Sequence, residues 1–285
     1  MNARPQTVEK LSSDHVLSGS EKTPTEENKN ILSSDAREIL AQESLVSITS
    51  FRAQDVFMVA YPKSGNTWLQ NLTAGVIYGV IPESAPPLLA HHDLIPDVHF
   101  KHFYKRYSDP MFFKSHHLPK PEYRRVIYLL RDGRDVMVSY FHYLLALGKE
   151  VDFLQLVQTG DGLFPSKWHE HVEAWLANPF NASMMIIKYE DLQKNAVREL
   201  QRICFFLGVH RRKSFLKDMA RSASFHKLRE KEATVGMGTS NPNWRPDKFF
   251  FRRGKVGSFK DEMPETVLTA FLQEAESTLK KTGYL

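Results

Sequence analysis

The pattern of apolar and polar positions changes after residue 34. Residues 1–34 are poor in apolar side chains and rich in serine, threonine, glutamate, lysine and asparagine. Such a segment cannot bury enough apolar surface to offset the entropy that it loses on ordering. The sequence therefore predicts a flexible N-terminal tail over 1–34 and one folded domain over 35–285, which begins with a short helix at 36–42.

Four short apolar runs alternate with helical patterns through the rest of the chain. The runs carry β-branched and aromatic residues, which is typical of buried strands, and they lie at 56–61, 111–114, 125–131 and 184–189. Helical patterns follow at 67–78, 132–147, 190–207, 211–231 and 264–281, whereas 79–110 and 233–261 are predicted to be mostly irregular. This alternation indicates an α/β fold, a single domain in which helices flank a parallel sheet.

The first predicted strand ends in a polar turn, where ligands of parallel sheets bind. Its sequence is YPKSGNTW, residues 61–68, and a helix follows at once. Unpaired N–H groups and the helix dipole make such a turn an anion site. Gly65 lets the backbone approach an oxyanion closely, and Lys63 adds a positive charge. The alternative is an ordinary strand–turn–helix with a surface lysine, which a lysine inside the turn disfavours.

This turn is not a Walker A loop, in which the lysine directly follows the last glycine. Here Lys63 precedes Gly65, and none of the five residues before Lys63 is a glycine. A nucleoside triphosphatase therefore fits poorly, although the predicted sheet resembles that of the P-loop nucleoside triphosphatases.

The sequence YPKSGNTW resembles the 5′-phosphosulfate loop of cytosolic-type sulfotransferases, whose usual form is YPKSGTTW. Those enzymes transfer a sulfuryl group from 3′-phosphoadenosine 5′-phosphosulfate (PAPS) to a hydroxyl or amine. The resemblance covers roughly 51–285 and implies that Lys63 assists the leaving group. It also implies that the donor is bound by Lys63, Ser64, Gly65, Asn66 and Thr67.

The second predicted strand runs into Lys114, Ser115, His116 and His117, which is similar to the lysine–threonine–histidine segment of that family. The resemblance implies that His116 is the general base and that Lys114 neutralises the transferring group. The chemistry agrees, because an attacking alcohol must lose a proton and histidine accepts one near neutral pH. A structural histidine is the alternative, and His117 has no counterpart in the family.

Two further segments resemble the 3′-phosphate site of the family. One contains Arg131 and Ser139, and the other is FFRRGKVGSFK, residues 250–260. The resemblance implies that Arg131 and Ser139 bind the 3′-phosphate, for which an arginine offers bidentate geometry. A salt bridge from Arg131 to Asp135 is the alternative. In the second segment the implied nucleotide-binding residues are Phe250, Arg252, Arg253 and Gly254.

Aromatic residues supply the implied adenine site. The resemblance implies that Trp68 and Phe225 stack on the base and that Tyr189 contacts it, although core packing is the alternative for all three. The sequence departs from the family pattern at three places. Asn66 and Ala223 occupy positions where the family usually has threonine, and Ser258–Phe259 replaces the usual Asp–Trp. We expect the Asn66 side chain still to donate to phosphate.

The composition narrows the possible partners. The chain of 285 residues is 42% hydrophobic and carries a net charge of +5, which suits a small anionic ligand at least as well as a nucleic acid. Phenylalanines around Arg252 and Arg253 argue against a nucleic-acid patch, and no nucleic-acid partner is predicted. The single cysteine, Cys204, excludes an internal disulfide and a cysteine-rich zinc site. No metal is predicted, because lysines and loop dipoles can do what Mg²⁺ does in kinases.

Sequence patterns also suggest the setting and the acceptor. Residues 1–30 hold no apolar stretch of the kind a secretory signal needs, and no apolar run could span a membrane, so a cytoplasmic setting is expected. The family's dimerisation motif has no good copy near Thr266–Val267, so a homodimer is possible but unsupported. Loops 79–110, 146–166 and 233–250 are expected to line a site for an apolar hydroxylated molecule, such as a phenol, sterol, flavonoid or lipid-like alcohol.

Two other classes of function stay open. One is a P-loop kinase-like phosphotransferase, which an absolute requirement for Mg²⁺ would favour. The other is a catalytically silent nucleotide-binding protein, against which the presence of both Lys63 and His116 argues.

Overall fold

A four-stranded parallel sheet organises the computed structural model, which describes residues 44–81, 91–236 and 243–285. In spatial order its strands are β4 (Phe112–Ser115), β2 (Val56–Ala60), β5 (Arg125–Leu130) and β6 (Ser183–Lys188). A separate antiparallel pair joins β1 (Leu45–Ser47) to β3 (Phe103–Lys105). The predicted α/β fold is confirmed, and each predicted sheet strand matches within one residue at either end. The β1–β3 pair was not predicted, because three-residue strands carry no readable alternation.

The helices surround this sheet. They are α1 (Asn66–Tyr78), α2 (His91–Leu94), α3 (Gly133–Ala146), α4 (Phe153–Thr159), α5 (Trp168–Ala177), α6 (Tyr189–Lys194), α7 (Ala196–Leu207), α8 (Lys213–Ser222), α9 (Phe225–Val235), α10 (Phe259–Glu262) and α11 (Glu265–Thr282). None of those in the described ranges combines the length and the apolar composition that a membrane span needs.

Two of the predicted helices are each a pair of shorter helices. The segment predicted as one helix over 190–207 breaks at Asn195, whose side chain accepts from the main-chain N–H of Arg198 and caps α7. The segment over 211–231 likewise divides into α8 and α9 at Ala223. Helices α4 and α5 were not predicted at all. The predicted tail over 1–34, the helix at 36–42 and the domain boundary between them fall outside the described residues and stay predictions.

Both faces of the sheet are buried, as in other parallel sheets. Along β2, Phe57 and Val59 pack into a core with side chains from α3, α5 and α11. The intervening side chains of β2 pack on the other face against α1, α7 and α8. The sheet therefore holds its strands rigidly, and the loops at their carboxyl ends inherit fixed positions.

The strand order places a crevice at the carboxyl end of β2. After β2 the chain passes through α1 to β4 on one side and then returns to β5 on the other. Ligands of open α/β sheets bind at such a switch point. The loop after β2 therefore lies between the segments that follow β4 and β5.

Candidate active site

The loop between β2 and α1 leaves main-chain donors free. Gly65 precedes α1 with φ of 100° and contributes no side-chain cap. Within the described ranges, the main-chain N–H groups of Gly65, Asn66 and Thr67 have no hydrogen-bond partner. A Cβ at Gly65 would lie 2.8 Å from the ring of Tyr189, so this tight loop needs glycine there. Three successive donors at the positive end of α1 are thus left for an anion.

The side chain of Asn66 faces the sheet rather than the loop. Its Nδ2 donates to the carbonyl oxygens of Met58, at 3.3 Å, and Ser115, at 3.1 Å, and so joins β2 to β4. The expected donation from this side chain to phosphate is therefore corrected, because the amide is already engaged. Only the main-chain N–H of Asn66 is left to serve an anion. The neighbouring loop residues Ser64 and Thr67 are buried.

Lys63 holds its ammonium between two aromatic rings. Its Nζ lies 4.1 Å from the ring centroid of Tyr143 and 4.2 Å from that of Phe250. Burial first, and then the charges of Lys114 and Arg131, lower the pKa of Lys63 to about 7. The ammonium is therefore easily deprotonated until an anion arrives to stabilise it.

His116, after β4, has a fixed tautomer. Its Nδ1 lies 2.7 Å from the carbonyl oxygen of Ala60. Because a carbonyl can only accept, Nδ1 carries the proton and Nε2 is the basic nitrogen. Burial and the charge of Lys114 lower the pKa of His116 to about 4, which keeps the ring neutral at physiological pH. A neutral ring with a basic Nε2 can accept a proton.

Lys114 forms a buried ion pair with Asp97, a residue that the sequence did not indicate. Its Nζ lies 2.8 Å from Oδ2, and both side chains are almost fully buried. Burial alone would raise the pKa of Asp97, but the Lys114 ammonium holds it well below its usual range. Asp97 sits beside β4 because Lys114 donates its main-chain N–H to Pro96 and accepts one from Val98. The charge of Lys114 is thus compensated within the protein.

Three more histidines lie beside His116. The Nε2 of His99 is 2.8 Å from the main-chain nitrogen of His116, and the Nδ1 of His117 is 2.9 Å from the Tyr123 hydroxyl. His171 bridges the Tyr128 hydroxyl and the carbonyl oxygen of His117. Burial lowers the pKa of each of these three imidazoles to about 3, so all are neutral.

Arg131 connects the loop after β2 to the segment before α10. Its guanidinium donates to the carbonyl oxygens of Lys63, at 3.2 Å, and Lys255, at 3.3 Å, and lies 4.3 Å from the ring centroid of Tyr189. It also lies 3.8 Å from Asp135, the salt bridge considered as its alternative role. Its buried Nε has no hydrogen-bond partner in the described chain.

Ser139 lies on α3, two turns after Arg131, and is partly exposed. Its hydroxyl makes no hydrogen bond to any described residue. One N–H group of Arg131 and the Ser139 hydroxyl are therefore both available to a ligand.

Two buried carboxylates fix the segment 250–259. Glu232 on α9 accepts from the main-chain N–H groups of Phe250, at 2.6 Å, and Phe251, at 2.9 Å. Asp135 on α3 accepts from Gly257, at 2.7 Å, and Phe259, at 2.9 Å. The two carboxylates hold main-chain N–H groups that would otherwise bind water. Residues 250–259 therefore have a defined path across the loop after β2.

Arg252 and Arg253 both pair with Glu262. Nη2 of Arg252 is 3.1 Å and Nη1 of Arg253 is 2.6 Å from Oε1 of this carboxylate. His142 also lies 3.1 Å from the Oε2 atom of Glu262. The Glu262 carboxylate therefore neutralises both arginines, and a phosphate that binds to them would have to displace it.

The predicted adenine residues lie in one aromatic cluster. Trp68 and Phe225 are partly buried and pack with Phe250 around Leu228 and Phe251. A Cβ at Gly254 would lie 2.2 Å from the Phe225 ring, so this close approach requires glycine. Trp68 also donates its indole N–H to the carbonyl oxygen of Ala223 at 2.7 Å and meets the ring of Tyr189 edge-on. The cluster adjoins the loop after β2.

The model of the sulfotransferase domain family matches residues 53–283 of this chain. The chain belongs to this family. That places it among the sulfotransferase enzymes and confirms the resemblance seen in the sequence. Most of the matched range lies within the described residues, and it includes every predicted site residue.

Individual relatives of this sulfotransferase agree. A 3-beta-hydroxysteroid sulfotransferase of Cavia porcellus is 28% identical over 222 residues, covering 73% of this chain and 77% of that protein. A flavonol 3-sulfotransferase of Flaveria bidentis is 27% identical over 271 residues, covering 84% and 86%.

Solved structures share the fold. A retinol dehydratase in complex with retinol and PAP has a TM-score of 0.62 at 22% identity, covering 81% of this chain and 82% of that one. The mouse sulfotransferase SULT7A1 complexed with PAP has a TM-score of 0.59 at 22% identity, covering 87% and 94%.

Three carboxylates of this sulfotransferase were missed in the sequence. They hold cations or main-chain donors of the site, and they are Asp97, Glu232 and Glu262. Each acts on a partner in another segment of the chain or across a turn. No short-range spacing marks them, because only the folded chain brings each one to its partner.

Proposed function

We propose that the protein transfers the sulfuryl group of PAPS to a hydroxyl group of a small acceptor molecule. The pairing of β2 with β4 supports this proposal most strongly, because Val59 lies opposite Ser115. Lys63 and His116 therefore follow neighbouring strand ends. An anion-binding loop with a cation thus adjoins a neutral base, the two requirements of sulfuryl transfer.

His116 and Lys63 would divide the chemistry between them. His116 Nε2 takes the proton of the acceptor hydroxyl while the hydroxyl oxygen forms a bond to sulfur. The bond between sulfur and the oxygen that bridges it to phosphorus breaks, and 3′-phosphoadenosine 5′-phosphate (PAP) leaves. Lys63 stabilises the negative charge that grows on that oxygen, an effect larger in the transition state than before it.

The described residues also fit the nucleotide that this reaction needs. The free N–H groups of Gly65, Asn66 and Thr67 suit the 5′-phosphosulfate. The partnerless Nε of Arg131 and the Ser139 hydroxyl suit a second anion, the 3′-phosphate. We propose that Arg252, Arg253 and the main chain of Gly254 join them once the phosphate displaces Glu262. Adenine would lie against Trp68 and Phe225, with Tyr189 beside it.

The acceptor would be a small hydroxylated molecule, such as a phenol, sterol or flavonoid. Two relatives carry names that refer to a hydroxysteroid and a flavonol. Near His116, Phe164 meets the ring of His99 edge-on at 5.2 Å and offers an apolar wall. The predicted cytoplasmic setting stays part of this proposal, and one relative is named a cytosolic sulfotransferase.

Transfer of radiolabelled sulfate from PAPS to a panel of phenols, sterols and flavonoids tests the proposal. We expect transfer without added metal ions, together with binding of PAP in calorimetry. Tight binding of PAP without transfer to any acceptor would instead favour a silent nucleotide-binding protein. Transfer of phosphate that requires Mg²⁺ would favour a kinase-like enzyme.

Replacing Arg252 with glutamine should weaken PAP binding by about tenfold to a hundredfold, the worth of one charge-assisted contact. Binding of adenosine 5′-phosphate, which lacks the 3′-phosphate, should change little. Calorimetry with both nucleotides measures the difference. Arg221→Gln is the matched control, because Arg221 forms an ion pair with Asp218 on the exposed side of α8. Equal losses for both nucleotides would show that Arg252 does not recognise the 3′-phosphate.

The pKa of Lys63 predicts a pH dependence. Because this pKa is about 7 in the free protein, a rising pH removes the charge that receives the donor. We expect kcat/KM for PAPS to fall as the pH rises through about 7, whereas kcat should fall only at higher pH, since the bound anion raises the pKa again. Lys63→Arg stays charged throughout and should lose this limb of the kcat/KM profile. A limb that persists in Lys63→Arg would assign it to another group.

A further inference from the structure

His99 lies directly beside the base. Its Nε2 is 2.8 Å from the main-chain nitrogen of His116, and the two imidazole rings are stacked with centroids 5.5 Å apart and planes at 23°. The chain holds His99 there through its own main-chain N–H, which donates to Asp97 at 3.0 Å. As a whole residue, His99 is only partly buried.

The hydrogen bond from His116 fixes the tautomer of His99. A main-chain N–H can only donate, so Nε2 of His99 accepts and carries no proton. The neutral ring must then hold its proton on Nδ1. Burial and the neighbouring His116 lower the pKa of His99 to about 3, so this proton stays in place through the physiological pH range. Nδ1 has no hydrogen-bond partner among the described residues.

The site therefore pairs an acceptor with a donor on neighbouring rings. His116 offers the basic Nε2, and His99 offers the N–H of Nδ1. A donor left without a partner is costly when a ligand covers it, so it selects ligands that carry an oxygen at that place. Phe164, edge-on to His99, offers no competing hydrogen bond.

We propose that His99 determines acceptor specificity by donating its Nδ1 proton to a second oxygen of the acceptor, on the carbon next to the one whose hydroxyl is sulfated. The inference rests on the proposed sulfuryl transfer and narrows its acceptors to vicinal dioxygen compounds, of which catechol is the simplest aromatic case. A monohydroxy phenol fills the same place but leaves the donor of His99 without a partner.

The test compares catechol with phenol as acceptors of the full-length protein. We expect wild-type kcat/KM to favour catechol by about tenfold, the worth of one hydrogen bond in a covered site. His99→Phe and His99→Met cannot donate and should remove this preference. His99→Asn, whose amide nitrogen takes the place of Nδ1, should keep part of it. His210→Phe, on an exposed histidine, is the control.

Two outcomes would overturn the inference. One is a wild-type protein that uses catechol and phenol alike. The other is an equal fall for both acceptors in all three His99 variants, which would mean that His99 acts only through the main chain of His116. Calorimetry of catechol and phenol in the presence of PAP separates the inference from the proposed function, because it needs no turnover. A catechol preference in binding that the His99 variants lose would uphold the inference even if no sulfuryl transfer is found.

Discussion

Replacing His116 with alanine should lower the rate of sulfuryl transfer by about 10²–10⁴-fold, the usual contribution of a general base. The reason lies in the fixed tautomer, since Ala60 holds the proton on Nδ1 and leaves Nε2 as the basic nitrogen. PAP binding should be unaffected, because the residues that we propose to bind the nucleotide lie on the loop after β2 and on other segments. The measurement combines initial rates at saturating PAPS with calorimetry of PAP.

The control for this variant is His210→Ala, which changes an exposed histidine far from the strand ends in sequence. Unfolding curves of both variants show whether the loss has a structural origin. A His116→Ala protein with a near-normal rate would remove His116 as the base.

Replacing Asp97 with asparagine should lower the free energy of unfolding by about 3–5 kcal/mol, because it leaves the buried Lys114 ammonium without its partner. Asp93→Asn is the matched control, since Asp93 pairs with Lys101 at the surface and such pairs contribute about 0–1 kcal/mol. Chemical denaturation of the three proteins gives the comparison.

The same ion pair predicts how the effect depends on pH. The pKa of Asp97 in the folded chain lies below its ordinary 3.8, so the stabilisation is present at neutral pH and is lost only as the pH falls from about 4 downward. Adding Lys114→Met to Asp97→Asn removes the unpaired charge and should recover part of the stability. No recovery would mean that the loss in Asp97→Asn does not come from the unpaired charge of Lys114.

Some elements of the fold could be predicted from the sequence, and others could not. The sheet strands were predictable because β-branched runs between turn residues carry their signal locally. The break at Asn195 was predictable in principle, since asparagine is a preferred helix cap, but the continuous apolar stripe of 190–207 masked it. The helices α4 and α5 lie in a segment whose polar residues obscure the helical period.

Only part of the candidate site could be predicted from the sequence. Residues that follow strands, such as Lys63, His116 and Arg131, could be found because their segments resemble motifs of the family and because strand ends of a parallel sheet meet. Their carboxylate partners could not, because Asp97 reaches Lys114 through a loop whose path no pattern predicts. The tautomer of His99 depends likewise on a single hydrogen bond between distant segments.

The carboxylate of Glu262 would affect how a nucleotide binds to the proposed site and how it leaves. This carboxylate pairs with both Arg252 and Arg253. If the two arginines bind the 3′-phosphate as we propose, each turnover exchanges one anion for another at this end of the site, and the returning carboxylate offsets the cost of losing the phosphate. We therefore expect Glu262 to weaken the retention of PAP and to speed its release.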